Sequence, residues 1–149
     1  MNKERLHPLL RYKFELMKES FTGENEMIMV SGYRSKAKQK ELYELPGVYA
    51  APPGRSLHNY GYAFDIAFIR PDNTADYSWW QFDEVSKLAK QEGLVWGGDW
   101  KVQDGPHFQF PTTWRKAAAG WKPYIGGIRD HLIMIKSGLS DILETLRGH

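Results

Sequence analysis

The sequence predicts an α+β domain with a small, mainly antiparallel sheet flanked by helices. Helical and strand patterns follow one another without the regular alternation of a parallel βαβ chain. The chain has 149 residues, which is close to the usual size of one domain and enough to bury a sizeable core. It has no cysteine, which excludes disulfides, a thiol nucleophile and Cys-ligated zinc or iron–sulfur sites.

Charge and hydropathy exclude several other classes. The 20 Lys and Arg residues against 18 Asp and Glu residues are too balanced to indicate a nucleic-acid partner. No stretch approaches the ~20 apolar residues of a membrane span, and the start of the sequence lacks the apolar run of a signal peptide. We therefore expect a protein that is made in the cytoplasm and has no membrane span.

The first half of the chain predicts two helices, one strand and a loop. The strand covers Met27 to Val30. Ser35 is the predicted N-cap of a helix from Lys36 to about Leu45, with Leu42 and Leu45 facing inward. Residues 46–55 contain three prolines and two glycines, which predicts an irregular loop. The first helix precedes the strand and stops near Gly23, with apolar residues at helical spacing: Leu6, Leu9, Leu10, Phe14, Met17 and Phe21.

The second half predicts the rest of the sheet. Residues 62–69 alternate as a strand, with Asp65 on one face and Phe64 on the other, and residues 71–77 are a predicted loop. Residues 78–81 have capping-box form and open a helix that stops at Gly93, with Phe82, Val85, Leu88 and Ala89 facing inward. Residues 94–96 and 107–110 are two further short strands, and Thr112 or Thr113 caps a short helix toward Ala119.

We expect two parts in the chain, a catalytic domain over residues 1–124 and an amphipathic helix over residues 125–149. An apolar stripe marks the second part and consists of Ile128, Leu132, Ile135, Leu139, Ile142 and Leu146. Three interpretations remain open. The stripe packs on the catalytic domain, pairs with a second chain, or lies on a membrane surface, although its mixed charges argue against anionic lipid. If the stripe packs on the catalytic domain, we expect the protein to be a monomer.

One candidate site combines a turn and a strand. His58 lies in a glycine-containing turn, and Asp65 lies inside an apolar strand, where a carboxylate needs a compensating partner such as a metal cation. Ala63 and Ala67 share the face of Asp65 and leave room for an ion, while Gly61 permits the left-handed backbone that brings the turn close.

A second candidate site lies on the strand that begins at His107. If this strand neighbours residues 62–69, then His107 and Asp65 converge. Two histidines, one carboxylate and an open position are typical of a catalytic zinc site. Asp104 lies across a Gly-Pro turn from His107, at the rim of the metal site, where it is a candidate general base.

Together these motifs resemble the LAS group of bacterial cell-wall zinc peptidases. This group includes D-alanyl-D-alanine carboxypeptidases and L-alanyl-D-glutamate peptidases, phage endolysins among them. The resemblance rests on Ser-x-His-x-x-Gly-x-Ala-x-Asp at residues 56–65 and Asp-x-Pro-His-Phe at residues 104–108. Residues 31–35 and 96–100 also match, so the likeness runs from about Met27 to Phe110 and implies a Hedgehog/DD-peptidase-like fold.

The resemblance also implies residue roles. One Zn²⁺ would be held by His58, Asp65 and His107, with Asp104 as the catalytic base. Arg34 would hold the substrate carbonyl oxygen and stabilise the oxyanion, and Ser56 would position substrate or ligand. Side chains expected to wall the cleft or meet the substrate are Tyr33, Tyr60, Trp96, Trp100 and Arg55; for each, core packing or a solvated charge is the competing interpretation.

Three functions follow as alternatives. The aspartate base and the motif at residues 96–100 favour an L-alanyl-D-glutamate endopeptidase acting on peptidoglycan, whereas residues 52–56 look more like a D-alanyl-D-alanine carboxypeptidase. A non-catalytic, zinc-containing wall-binding module is the alternative of another class. Because no signal peptide is visible, we expect a phage-type endolysin that reaches the wall after release through a holin.

Overall fold

A computed structural model describes residues 5–124 and confirms the α+β class. In chain order the larger elements are α1 (Pro8–Ser20), β1 (Glu26–Ser31), α2 (Lys36–Glu44), β2 (Ala63–Ile69), β3 (Ala75–Asp76), α3 (Trp79–Gln91), β4 (Val95–Trp96), β5 (His107–Gln109) and α4 (Trp114–Ala118). The predicted helix over residues 125–149 lies outside the described residues. No helix within residues 5–124 is long and apolar enough to span a membrane.

The sheet is antiparallel throughout, with β2 at its centre. Its order is β1-β2-β5-β4, and β3 pairs with the end of β2. Alternation along β2 places Phe64, Ile66 and Phe68 in the main hydrophobic core, where they meet side chains from α1 and α3. The opposite face of β2 carries Asp65, so the same alternation that buries one face leaves the other free to build a site.

Three local predictions differ from the structure. Residues 75–76 form the short strand β3 inside the predicted loop, because Phe68 and Ile69 extend their pairing to Asp76 and Ala75. Ser78 begins α3 without a side-chain capping bond, since its hydroxyl donates to Asp76 Oδ1 at 2.5 Å instead. Leu45 is half exposed rather than inward-facing.

Candidate active site

His58 stands on a short 3-10 turn, Leu57–Tyr60, that the chain caps at both ends. Ser56 Oγ accepts from the His58 backbone N–H at 3.3 Å. Gly61 ends the turn in the left-handed conformation, with φ at 71°. A Cβ at this position would also collide with the carbonyl oxygen of Arg5, so glycine satisfies both requirements. The predicted role of Gly61 in bringing the histidine turn close therefore has a structural basis.

The pairing of β2 with β5 brings the other two predicted ligands together. Asp65 and His107 are direct partners in the antiparallel register. His107 Nδ1 lies 3.1 Å from Asp65 Oδ1, and His58 Nε2 lies 3.3 Å from Asp65 Oδ2. One ligand atom from each of the three residues can be chosen so that all lie within 4.8 Å of one another. The two nitrogens and one carboxylate oxygen form a donor set that suits zinc.

Partners outside the cluster orient both imidazole rings. His58 Nδ1 lies 2.7 Å from the Gly32 carbonyl oxygen, so it donates there and leaves Nε2 toward Asp65. His107 Nε2 lies 3.0 Å from Gln109 Oε1, which leaves Nδ1 toward Asp65. Such outer partners fix the tautomer of metal-binding histidines, and here they leave one nitrogen of each ring directed at the cluster.

The electrostatics of the cluster also suit a cation. Burial alone would raise the pKa of Asp65, but hydrogen bonds from His107 and His58 hold that pKa well below its usual range. Burial would lower the pKa of His107, yet Asp65 and Gln109 raise it above its ordinary value. Asp65 therefore stays charged between two buried rings, and its negative charge favours a divalent cation at this position.

Arg34 reaches the cluster from the segment between β1 and α2. Its guanidinium donates to Gln39 Oε1 and to Ser31 Oγ, both at 2.9 Å, and lies 3.4 Å from Asp65 Oδ2. Gln39 is 1% exposed and donates in turn to the Ala51 carbonyl at 2.7 Å. The positive charge of Arg34 is thus held at a fixed place beside the three predicted ligands.

Asp104 lies at the solvent-exposed rim of the same cavity. Its loop sits close to the end of β4 because Gly97 has no side chain: a Cβ there would stand 2.5 Å from the Asp104 carbonyl oxygen. Partial burial raises the pKa of Asp104, while the opposing charge of His107 lowers it. A carboxylate with this placement can accept a proton from a group held at the cluster.

The cavity over this cluster has a volume of about 580 Å³. Arg34, His58, Asp65, Asp104 and His107 line it together, as do Ser56, Arg55 and Trp100 from the wider set of predicted residues. Trp100 is partly exposed, and its ring centre lies 5.0 Å from that of His107. Arg55 lies over the ring of Trp114 at 5.3 Å.

Three of the aromatic residues expected at the cleft do not line this cavity. Trp96 is buried in the core, where its indole N–H donates to the Gly105 carbonyl at 2.7 Å. Tyr60 donates to the Gly54 carbonyl at 2.8 Å and so braces the loop before His58. Tyr33 faces a neighbouring groove beside Arg5.

Two polar residues beside the site were not predicted. Gln39 carried no signal, because it lies on the predominantly polar helix α2, where a single glutamine does not stand out. Asn59 is buried and links two segments, since it donates to the Arg34 carbonyl at 2.8 Å and accepts from the Gly54 N–H at 2.9 Å. Its position next to His58 was visible in the sequence, but its partners depend on tertiary folding.

The sequence of this chain is similar to those of known peptidoglycan peptidases. Residues 50–110 match the sequence profile of the family described as D-alanyl-D-alanine carboxypeptidase. The peptidoglycan L-alanyl-D-glutamate endopeptidase CwlK of Bacillus subtilis is 31% identical in an alignment of length 122 that covers 70% of this chain and 72% of CwlK.

Solved structures show the same fold. The L-Ala D-Glu endopeptidase ChiX of Serratia marcescens superposes with a TM-score of 0.62 at 25% identity, over 77% of this chain and 86% of ChiX. The vancomycin-resistance D,D-pentapeptidase VanY, crystallised with Zn(II), has a TM-score of 0.51 at 21% identity, over 74% of each chain.

Proposed function

Because this chain belongs to the D-alanyl-D-alanine carboxypeptidase family of LAS-type zinc peptidases, which hydrolyse peptidoglycan, we propose that it cleaves the L-alanyl-D-glutamate bond of the stem peptide. The observation that carries this choice of bond is the likeness to CwlK and ChiX. Both proteins are named for that bond, and each matches more than two thirds of this chain. The aspartate at position 104 supports the same choice.

In this proposal His58 Nε2, Asp65 and His107 Nδ1 hold one zinc ion. The donor types, their mutual distances and the oriented rings all fit such an ion. When bound, zinc supplies Lewis-acid activation of water and of the scissile carbonyl.

The remaining groups of the cavity have separate tasks. Asp104 accepts the proton of the attacking water and delivers it to the leaving amine. Arg34 presents a fixed positive charge to the oxygen on which negative charge develops, a contribution of the kind whose loss costs about 10²–10³ in rate. Ser56 orients the turn that carries His58, while Arg55 and Trp100 border the space for the peptide.

Mass spectrometry of muropeptides after digestion of purified sacculi tests the bond directly. Cleavage at the proposed bond leaves L-alanine on the muramyl sugar and releases peptides that begin with D-glutamate. A chelator and the Asp104→Asn variant should both abolish these products. Loss of a single terminal D-alanine with the stem otherwise intact would contradict the endopeptidase.

A D-alanyl-D-alanine carboxypeptidase is the second candidate. The profile match at residues 50–110 carries that description, and it includes residues 52–56, whose sequence resembles that group. A pentapeptide stem ending in D-alanyl-D-alanine separates the two activities, because the carboxypeptidase shortens it by one residue and the endopeptidase cuts after L-alanine.

We propose lysis as the biological use of the reaction. Cleavage after L-alanine detaches the whole stem, with its cross-link, from the glycan, whereas trimming the far end leaves existing cross-links in place. Expression inside a wall-bearing host, with and without a co-expressed holin, tests this role. Lysis that needs both the holin and Asp104 supports it, and intact cells with active enzyme in their extracts contradict it.

A further inference from the structure

Arg55 is an exposed cation on the wall of the peptidase cavity. The other charged side chains that line this cavity are Arg34, His58, Asp65, Asp104 and His107. Arg34 and both histidines contact Asp65, whereas no carboxylate within residues 5–124 forms an ion pair with Arg55. The positive charge of Arg55 is therefore available to an anion that enters the cavity.

Three hydrogen bonds fix the backbone around Arg55. Its own N–H donates to the Pro52 carbonyl at 3.0 Å. The preceding residue, Gly54, donates its N–H to Asn59 Oδ1 at 2.9 Å, and its carbonyl accepts from the Tyr60 hydroxyl at 2.8 Å. The side chain of Arg55 therefore begins at a fixed point, beside the short turn that carries the first proposed zinc ligand.

The ring of Trp114 supports the other end of this side chain. The guanidinium carbon of Arg55 lies 5.3 Å from the ring centre, which is within the range of a cation–π contact. Trp114 begins α4 and also lines the cavity. A guanidinium that lies over an aromatic ring keeps its N–H donors available, and its planar fork matches the two oxygens of a carboxylate.

The substrate carries one anion directly beside the bond that we propose is cut. D-glutamate continues the stem peptide through its γ-carboxyl group, so its α-carboxylate stays free. This carboxylate is attached to the carbon that bears the scissile nitrogen. The L-alanine on the other side of the bond and the lactyl group that precedes it carry no charge. Of the groups at the scissile bond, the α-carboxylate is therefore the one that a cavity arginine can recognise by charge.

We propose that Arg55 binds the α-carboxylate of D-glutamate and makes the enzyme prefer stems with this free carboxylate over stems in which it is a carboxamide. The inference rests on the proposed function, because cleavage at that bond brings the carboxylate into the cavity. A carboxamide offers one acceptor oxygen in place of two and has no negative charge. It therefore loses one of the two hydrogen bonds to the guanidinium and the charge attraction as well.

Two peptides that differ only at this group test the proposal. The first is N-acetyl-L-Ala-D-Glu-L-Lys amide, joined through the γ-carboxyl group of D-glutamate, and the second has an α-carboxamide in place of the α-carboxylate. The wild type should cleave the first with the higher kcat/KM. In Arg55→Gln the ratio of the two kcat/KM values should fall about 10–100-fold, as expected for lost hydrogen bonds to a charged group. Arg55→Lys keeps the charge without the planar fork and should retain part of the preference.

Arg115 offers a matched control. Its guanidinium lies over the ring of Trp114 at 4.6 Å, and it is exposed, but it does not line the cavity. Arg115→Gln removes the same charge and a contact with the same ring, so it should leave the ratio unchanged. An unchanged ratio in Arg55→Gln, or an equal fall in both variants, would overturn a specific role for Arg55.

A binding measurement separates this inference from the proposed function. Zinc-loaded Asp104→Asn should bind the carboxylate peptide without cutting it, and the added change Arg55→Gln should weaken this binding about 10–100-fold in calorimetry. Equal affinity of Asp104→Asn for the two peptides would overturn the carboxylate site, even where the wild type cuts after L-alanine. Binding that depends on Arg55, together with intact L-alanyl-D-glutamate bonds in digested sacculi, would reject the proposed bond and keep the carboxylate site.

Discussion

Asp104 combines exposure to solvent with a place at the edge of the metal cluster, and it is not among the three predicted ligands. Replacing it by asparagine removes the proton acceptor and keeps the shape of the side chain. We expect Asp104→Asn to retain stoichiometric zinc and its melting temperature while turnover falls by about 10²–10⁴, the usual contribution of a general base. Metal analysis, calorimetry and a muropeptide assay check this. Turnover within a few-fold of the wild type would rule out Asp104 as the base.

Gln109 orients one of the proposed zinc ligands through a single hydrogen bond to His107 Nε2. We predict that Gln109→Leu, which removes the acceptor, weakens zinc binding by about 10–100-fold, as loss of such an outer partner commonly does. Gln109→Glu keeps an acceptor and should retain tight binding. Competition with a chromogenic chelator measures both affinities. Equal affinity in the leucine variant would show that His107 is oriented by its packing alone.

For single residues, the sequence predicted which side chains could bind a metal better than it predicted which aromatic side chains are buried or exposed. Asp65 inside an apolar strand needed a partner, and that need identified the site. The aromatic residues gave no such signal, because Trp96 and Trp100 have the same hydropathy. Burial of the first and partial exposure of the second depend on how Gly97 and the following residues turn the chain.

Among the elements, α1 carries a built-in sensitivity to acid. Its N-cap, His7, accepts from the Leu9 N–H at 3.2 Å and contacts the rings of Tyr62 and Phe110. Burial, helped by the charge of Lys122, lowers the pKa of His7 to about 4. His7 therefore takes up a proton near pH 6.5 in the unfolded chain, but only near pH 4 in the folded chain.

This difference predicts a loss of stability as the pH falls from 6.5 toward 4. The expected contribution is about 3 kcal/mol, because each unit of pKa difference is worth about 1.4 kcal/mol. His7→Asn keeps a capping acceptor and cannot be protonated, so its free energy of unfolding should fall less over that range. Denaturant unfolding at several pH values gives the dependence of the free energy of unfolding on pH for the wild type and for His7→Asn. Parallel slopes would mean that His7 does not carry the effect.

Elements long enough to show a hydrophobic period could be predicted from the sequence. Elements that depend on tertiary contacts could not. The alternation over residues 62–69 gave β2 and the face of Asp65, and the helical spacing gave α1 and α3. The two residues of β3 are too few to show a period, so only their pairing with β2 defines them. Ser78 had the sequence of a capping box, but Asp76 competes for its hydroxyl.

For the whole molecule, the three proposed metal ligands join a turn and two strands that are distant in sequence. A ligand that binds only the folded state stabilises it by about 3 kcal/mol at a hundred times its Kd. We expect removal of zinc by a chelator to lower the melting temperature by roughly 5–10 °C. The His58→Ala variant should melt at the same temperature with and without chelator, and a chelator-dependent shift in that variant would place the metal elsewhere.

The stripe from Ile128 to Leu146 lies outside the described residues, and its packing on the catalytic domain remains our proposal. We predict that deleting residues 128–149 makes the domain less stable or prone to aggregate, because covered apolar surface becomes exposed. Zinc binding should persist wherever the shortened protein folds, since the three predicted ligands precede the deletion. Calorimetry and sedimentation decide, and a monomer with an unchanged melting temperature would contradict the packing.

The register that sets Asp65 opposite His107 also has a consequence during translation. His58 and His107 are about 50 residues apart in the chain, so a ribosome adding ~5–20 residues per second presents the first histidine several seconds before the second. In the proposed mechanism, a nascent chain that ends before residue 104 lacks both the base Asp104 and the ligand His107. We therefore expect a fragment that ends before residue 104 to show no peptidase activity, because it lacks both Asp104 and His107.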